Sequence, residues 1–352
     1  MIGRLSETEA DDLRPGEDPL VSVVILTYNH ERYISTCLKS VSAIDYDNFE
    51  VVLLDDGSTD QTFAIACEFE PAFGVATRFM TQSNTGRISQ NSQRLIASAN
   101  GEYTLFLSGD DALVSDYPLR SMIAAMRQDE HLALAIPRAV HVFEGACDSA
   151  VSIYTPEFRA LLLTGDPERV FREHLCRSVS RLFLQGVVAR RQFHESFGGF
   201  DHDKLADDYG FMMRAFRTMI ETGQRFKFFE DALWIYRVHP ANVHADEARQ
   251  RRLVFEVVRE YVPQVYWPTF RWDHREPDDL EGFVNLCEEL STYFGNIGAN
   301  SLTISAERRF YFKCISRKDG RSLIGGVCVS QHRLKSLIFI FPRLYRFLPA
   351  IF

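Results

Sequence analysis

The 352-residue chain is 46% hydrophobic and 25% charged, a globular composition long enough for one large α/β domain plus additions or for two domains. A formal net charge of −9 gives no global basic surface for nucleic acid. Seven scattered cysteines without a C-x-x-C pair argue against a zinc site or a disulfide framework and for a reducing compartment, and no run reaches the ~18 apolar residues of a membrane span.

Residues 1–18 read as a disordered acidic lead-in without an apolar signal-peptide core, so a cytoplasmic location is expected. Residues 20–27 (LVSVVILT) form an apolar, β-branched first strand buried on both faces, broken by Tyr28-Asn29-His30. Tyr33, Ile34, Cys37, Leu38, Val41 and Ile44 recur at helical spacing. Residues 49–55 are a second buried strand ending in Asp55-Asp56-Gly57-Ser58, where Ser58, Thr59 or Asp60 caps the next helix. A weaker third strand over 75–82, a helix over 88–99 and a strand over 102–107 follow. The last strand delivers the adjacent carboxylates Asp110 and Asp111.

Strand–helix–strand repetition at this spacing predicts a Rossmann-like, mostly parallel sheet flanked by helices. Such sheets bind ligands in the crevice outside the carboxyl ends of their strands. Three loops converge there: 27–30, 55–58 and 108–112. Two carry Asp pairs, and ionised Asp is seldom buried unless paired or holding a metal. Hard oxygen donors suit Mg²⁺ or Mn²⁺ carrying a phosphate. The chain has neither G-x-G-x-x-G after the first strand nor a G-x-x-x-x-G-K-[ST] loop, so a cation rather than a glycine cradle or a P-loop lysine is expected to neutralise the phosphates.

These pieces resemble the nucleotide-sugar-binding domain of family 2 glycosyltransferases. The matching stretches are VSVVILTYN at 21–29, VVLLDDGSTD at 51–60, NTG at 84–86 and GEYTLFLSGDD at 101–111. GGFD at 198–201, DDYGFMMR at 207–214 and YRVH at 236–239 follow in the family's order, and the likeness covers about residues 20–245. The resemblance implies a GT-A fold and transfer of a sugar from a nucleotide-diphosphate donor, UDP-sugar favoured, to a hydroxyl of a glycan or lipid-linked acceptor. It further implies inversion at the anomeric carbon, in bacterial surface polysaccharide synthesis. Carried over, Thr27, Tyr28 and Asn29 line the base pocket, Asp56 accepts a base N–H, and Asp110 faces the ribose or the metal. Asp111 becomes the direct metal ligand, with His239 completing the shell or touching the diphosphate, and Asp55 holds its loop. Asp208 becomes the general base, paired with Asp207 at a helix start. The sequence departs from the family at Leu26, often Pro, and at Ser89-Gln90-Asn91, often Ala-Arg-Asn; Arg87 is the candidate replacement cation. A sugar nucleotidyltransferase would need a Gly-rich basic loop where 27–32 stands, and a non-catalytic sugar-binding scaffold would not need four intact carboxylates.

The rest of the catalytic domain, 19–245, is read as an acceptor half over 116–245. It has a helix at 117–127 with Leu119, Met122, Ile123 and Met126 inward, strands at 132–142 and 182–188, and a poorly patterned 145–165. The helix from Asp207 turns Phe211, Met212, Ala215, Phe216 and Met219 inward, and an extended segment over 227–238 precedes His239. Residues 246–352 are expected to be a helical C-terminal region with helices at 246–262, 278–294 and 302–316. After Asp319 there is no acidic residue but five basic ones, Arg321, Arg333, Lys335, Arg343 and Arg346. The end at 331–352 suits peripheral contact with an anionic membrane surface, or docking on the core or on a second copy of the chain.

Overall fold

The computed structural model describes residues 18–261 except 115–116, 144–149, 176–181, 202–206, 241, 243–252, 255 and 258–259. The expectations for the lead-in, for the helices at 278–294 and 302–316 and for the basic end therefore lie outside the described residues, as does most of the helix at 246–262. The chain divides into two compact units, one of residues 1–174 and 179–257 and one of 175–178 and 258–352; the second lies almost wholly outside the described residues.

The first unit opens with β1 (Val21–Thr27), α1 (Ile34–Ser42), β2 (Phe49–Asp55), α2 (Thr62–Phe69), β3 (Ala76–Thr81), α3 (Ile88–Ser98) and β4 (Tyr103–Ser108). It continues through β5 (Ala112–Leu113), α4 (Leu119–Gln128), β6 (Leu132–Phe143), β7 (Ala150–Ser152), α5 (Pro156–Leu162) and α6 (Pro167–Leu175). It ends with β8 (Val188–Arg190), α7 (Arg191–Ser196), α8 (Asp207–Thr222) and β9 (Arg225–Val238). The sheet order is β3-β2-β1-β4-β8-β6-β9-β5, with β7 paired to β6.

The first four strands are parallel, as the repeat predicts. Beyond β4 the sheet is mixed. β8 runs antiparallel to β4 and to β6, β9 runs parallel to β6, and β5 closes the edge antiparallel to β9. The mixed pairing lies in the second half of the chain, outside the parallel repeat that the sequence predicts for the first. The strands there alternate less with helices, so the crossovers that enforce parallel order are missing. The poorly patterned 145–165 contains β7 and α5, and the strand expected over 182–188 shrinks to β8. Gly186 explains that loss. Its φ of 74° turns the chain, and a Cβ there would come within 2.9 Å of both Pro137 and Trp234.

Every residue of β2 is buried, and β1 is buried except at Leu26, because helices cover both faces of these strands. α1 turns Ile34, Cys37, Leu38 and Val41 inward, α4 turns Leu119, Met122, Ile123 and Met126 inward, and Phe211, Met212, Ala215, Phe216 and Met219 of α8 are fully buried. Each large apolar side chain removed from water contributes ~1.5–3 kcal/mol, which fixes α8 against the sheet more firmly than helix propensity would.

A titratable imidazole sits among these core side chains. His194 on α7 is 2% exposed, packed against Phe106, Phe197 and Phe211, with Nε2 2.7 Å from the Thr104 hydroxyl. Burial pushes its pKa from 6.5 down to about 3. The folded chain then keeps His194 neutral where the unfolded chain protonates it. Stability is fully present above about pH 6.5 and is lost as pH falls toward about 3, by roughly 1 kcal/mol per unit. In His194→Gln, urea unfolding is expected to show a shallower loss of stability between pH 6.5 and 5 than in the parent chain. Equal slopes would mean that His194 titrates normally in the fold.

Candidate active site

The register of the parallel strands sets the site. Thr27 pairs with Asp55 and Leu26 with Ser108, so β1, β2 and β4 end level and release their loops at one edge. β9 reaches the same edge from the other side. Ala112 pairs with Ile235 and Leu113 with Trp234, which carries Arg237 and His239 onto the Asp110-Asp111 turn.

The first loop leaves Tyr28 42% exposed at the mouth while Thr27 is buried. Asn29 adopts a positive φ of 55°, which Asn tolerates better than most residues. Its Oδ1 accepts the Thr59 N–H at 2.8 Å, and its own N–H donates to Ser58 Oγ at 2.8 Å. The first two loops are therefore tied together through Asn29. Asp55 holds the second loop: its Oδ2 accepts the Ser58 N–H at 3.0 Å and the Thr81 hydroxyl at 2.9 Å.

Asp56, expected to face a base, is 6% exposed and already engaged by the loop after β3. Its Oδ1 accepts from Gln82 Nε2 at 2.7 Å and from the Thr85 N–H at 3.0 Å, and its Oδ2 accepts from the Gly86 N–H at 3.2 Å. Arg87, the expected replacement cation, is exposed at the start of α3, where its N–H donates to Thr85 Oγ1 at 3.1 Å. The cation that touches this network is Arg94, two turns into α3, whose guanidinium donates to Gln82 Oε1.

Asp110 and Asp111 have different surroundings. Asp111, expected as the direct cation ligand, is 1% exposed, and its Oδ1 accepts the Arg237 N–H at 3.1 Å. Burial and the neighbouring Asp110 charge push its pKa well above the usual carboxylate range. It ties the turn to β9. The carboxylate that meets the histidines belongs to Asp110. Its Oδ2 lies 3.1 Å from His239 Nε2, 3.3 Å from Asn242 Nδ2 and 3.6 Å from His30 Nε2, and its Oδ1 accepts the Ser108 hydroxyl. Burial opposes the Asp110 charge, but the His239 hydrogen bond, the nearby His30 ring and the Ser108 hydroxyl outweigh it and hold the pKa at about 2.

His239 is fixed from several sides. It stacks on Tyr33 with centroids 4.6 Å apart, and its backbone N–H donates to Asn242 Oδ1 at 2.6 Å. The Arg237 guanidinium lies 5.3 Å over the same Tyr33 ring, and its Nε donates to the Asp110 carbonyl at 3.0 Å. Gly109 permits this crowding, since a Cβ there would lie 2.5 Å from Thr27 Oγ1 and 3.1 Å from His30 Nδ1.

Among the described residues no three His, Cys, Asp or Glu side chains form a ready cation cage. The donor chemistry of Asp110 and His239 nonetheless fits a divalent cation. One carboxylate oxygen and one imidazole nitrogen are acceptable to Mn²⁺ and less so to Mg²⁺, with the remaining positions left to phosphate oxygens and water.

Across the site, Asp207 opens α8 and Asp208 in its first turn is 4% exposed. One turn on, the Phe211 ring lies 4.8 Å from Phe200 and 6.4 Å from Phe106, which is two residues before the end of β4. Phe211 thus sets its turn of α8 beside β4, the strand that leads to Asp110. The Tyr209 hydroxyl, donating to the His174 carbonyl at 2.9 Å, fixes that turn. His30, Tyr33, Asn242, Gln82 and Arg94 were not expected as site residues. Only His30 carried a local signal, as the residue directly after the Tyr28-Asn29 break.

Residues 22–181 match the family model described as Glycosyl transferase family 2. An uncharacterized glycosyltransferase, EpsJ of Bacillus subtilis, is 26% identical over 227 residues, which are 63% of this chain and 62% of the relative. The poly(ribitol-phosphate) beta-N-acetylglucosaminyltransferase TarS of Staphylococcus aureus is 24% identical over 233 residues, 64% of this chain and 37% of TarS. The chain thus spans less than two thirds of the length of either relative. Among solved structures, the mannosyltransferase PcManGT of Pyrobaculum calidifontis, in complex with GDP-Man and Mn²⁺, superposes with a TM-score of 0.50 at 19% identity. That superposition covers 82% of this chain and 78% of the mannosyltransferase.

Proposed function

We propose that this chain, whose residues 22–181 match the family model described as Glycosyl transferase family 2, moves a sugar from a nucleotide-diphosphate donor to an acceptor hydroxyl with inversion. UDP-sugar is the favoured donor, and a glycan or lipid-linked glycan of a surface polysaccharide is the acceptor. TarS, named for transfer to poly(ribitol-phosphate), supports that acceptor class. The α/β sheet is of the GT-A type, and the observation that carries the reading is the meeting of Asp110 and His239 at its carboxyl edge, 3.1 Å apart, beside Arg237.

In this reading the base lies against the exposed ring of Tyr28 and donates an N–H to Asp56. Asp110 and His239 would hold a divalent cation, which would supply positive charge against the diphosphate. Arg237 adds a fixed positive charge at the same corner, and Asp111 keeps β9 against the turn. On the opposite side Asp208 takes the proton of the acceptor hydroxyl as its oxygen attacks the anomeric carbon. The new C–O bond forms as the bond to the diphosphate breaks, and the electron pair leaves with the diphosphate. The dipole at the start of α8 favours the ionised form of Asp208, which is the form that accepts a proton.

Thermal melting against UDP-, GDP- and dTDP-sugars with Mn²⁺, followed by donor hydrolysis assays, tests the reading. At least one donor is expected to raise the melting temperature and to be hydrolysed slowly, since a ligand bound only to the folded state stabilises it. No shift and no hydrolysis with any donor would overturn it.

A further inference from the structure

We propose that Arg138 and Gln185 form a subsite beside the reaction centre for a sugar or polyol that carries a negative group, a phosphate or a carboxylate. The proposal names a substrate class for the transfer reading above and rests on it. Among the described residues Arg138 forms no ion pair and no hydrogen bond, and its Nε is buried without a partner. Gln185 Oε1 is likewise buried and unpartnered. A guanidinium stays charged at any practical pH, and a buried charge is normally paired. A buried amide oxygen left unsatisfied also costs free energy. One occupant meets both needs: an anionic oxygen accepts from the guanidinium, and a hydroxyl of the same molecule donates to Gln185 Oε1. The donor diphosphate is not that anion, because in the reading above it lies at the Asp110 corner with Arg237.

The sheet brings the two side chains together. β8 runs antiparallel to β6 with Leu134 opposite Ala189 and Ala135 opposite Val188. Continued along both segments, that register sets Gly186 opposite Pro137 and Gln185 opposite Arg138. The close approach of Gly186 to Pro137, 2.9 Å from a Cβ placed on the glycine, agrees with it. On its other side Gln185 bridges to Phe106 of β4, and the Gly186 N–H donates to the Phe106 carbonyl at 2.7 Å. Residues opposite one another in a ladder share a face, so Arg138 and Gln185 lie on the face of Phe106. Alternation gives the same answer. Leu134 and Arg138 share a side of β6, Thr104 and Phe106 share a side of β4, and Leu134 is level with Thr104 through Ala189. That face carries Phe211 of α8, one turn beyond Asp208 and 6.4 Å from Phe106. The pair therefore sits next to the strand that leads to Asp110, on the face that α8 covers. Two substrates can supply the anion there: an acidic sugar on the donor, or a phosphate or carboxylate on the acceptor.

Titration calorimetry of the full chain with Mn²⁺ tests this in two arms. The donor arm compares UDP-glucuronate with UDP-glucose, and the acceptor arm compares glycerol phosphate with glycerol on the chain saturated with UDP. In one arm the anionic ligand is expected to bind about tenfold or more tightly than its neutral counterpart, and the arm that responds identifies the source. Arg138→Met should remove that preference, Arg138→Lys should keep part of it, and neither should change the affinity for UDP alone. Arg138→Met should also melt at or above the parent temperature, because it removes a buried cation that has no protein partner. That readout separates a ligand contact from a structural one. No preference in either arm, a preference that survives Arg138→Met, or an Arg138→Met chain that melts well below the parent would each overturn the proposal. If UDP does not bind the parent chain, the transfer reading fails and this proposal with it; UDP binding without an anion preference defeats this proposal alone.

Discussion

Asp110→Asn is expected to lower sugar transfer by about 10²–10³-fold, with kcat falling at least as much as kcat/KM. The side chain is nearly isosteric, so the change removes charge rather than shape. In the parent chain the carboxyl is held at about pKa 2, so it is ionised throughout any practical assay range. An amide at this position carries no charge to balance a divalent cation, while its carbonyl oxygen can still accept from His239 Nε2, now 3.1 Å away. The fold should survive, because the turn is tied to β9 by Asp111 through the Arg237 N–H and not by Asp110 alone. Steady-state transfer assays alongside thermal melting check this. A variant that melts normally and keeps more than a tenth of the parent rate would remove Asp110 from the reaction. Asp111→Asn should separate the two roles by lowering stability more than it lowers the rate per folded molecule.

Asp208→Asn is the second change with a large effect. It should lower kcat by about 10²–10⁴-fold, the usual contribution of a positioned base, and leave the KM for the donor nearly unchanged. The split follows from where the residue sits. Asp208 belongs to the first turn of α8, whereas the donor-side carboxylates lie on the loops after β2 and β4. The inward face of α8, fully buried at Phe211, Met212 and Phe216, keeps the helix in place when the charge is lost. Near-normal transfer by a well-folded Asp208→Asn chain would assign the proton to another group.

The parallel half of the fold was legible because local pattern and tertiary outcome agree there. Residues 49–55 and 102–107 are apolar runs ending at carboxylates, and β2 and β4 end within a residue of those limits. The other half was less legible. β8 was overestimated because Leu182 and its neighbours are apolar for packing reasons while Gly186 turns the chain away from a strand. At the site, the sequence brought the loops to one edge but did not divide the work between adjacent residues. Asp110 and Asp111 look equivalent in a string of letters. They differ because β9 arrives 126 residues later to engage Asp111, and that pairing has no local signature. Likewise Arg94 lies within a helix whose periodicity says which side is buried, not that its outer side reaches back to Gln82.

β9 pairs with β6 through two register shifts, a small one between Leu132 and Leu134 and a larger one after Pro137. Pro137 pairs with Phe229, but Arg138 pairs with Leu233, so Glu230, Asp231 and Ala232 have no partner in the ladder. Paired residues share a face, and successive residues alternate, so this insertion resets which side of the sheet each later residue meets. The half of the strand bearing Arg237 and His239 takes its orientation from Arg138 onward and is indifferent to the phase of the half before it. The end bearing Arg237 and His239 is therefore oriented by its own pairing with 138–143 rather than by the pairing of Arg225–Phe229.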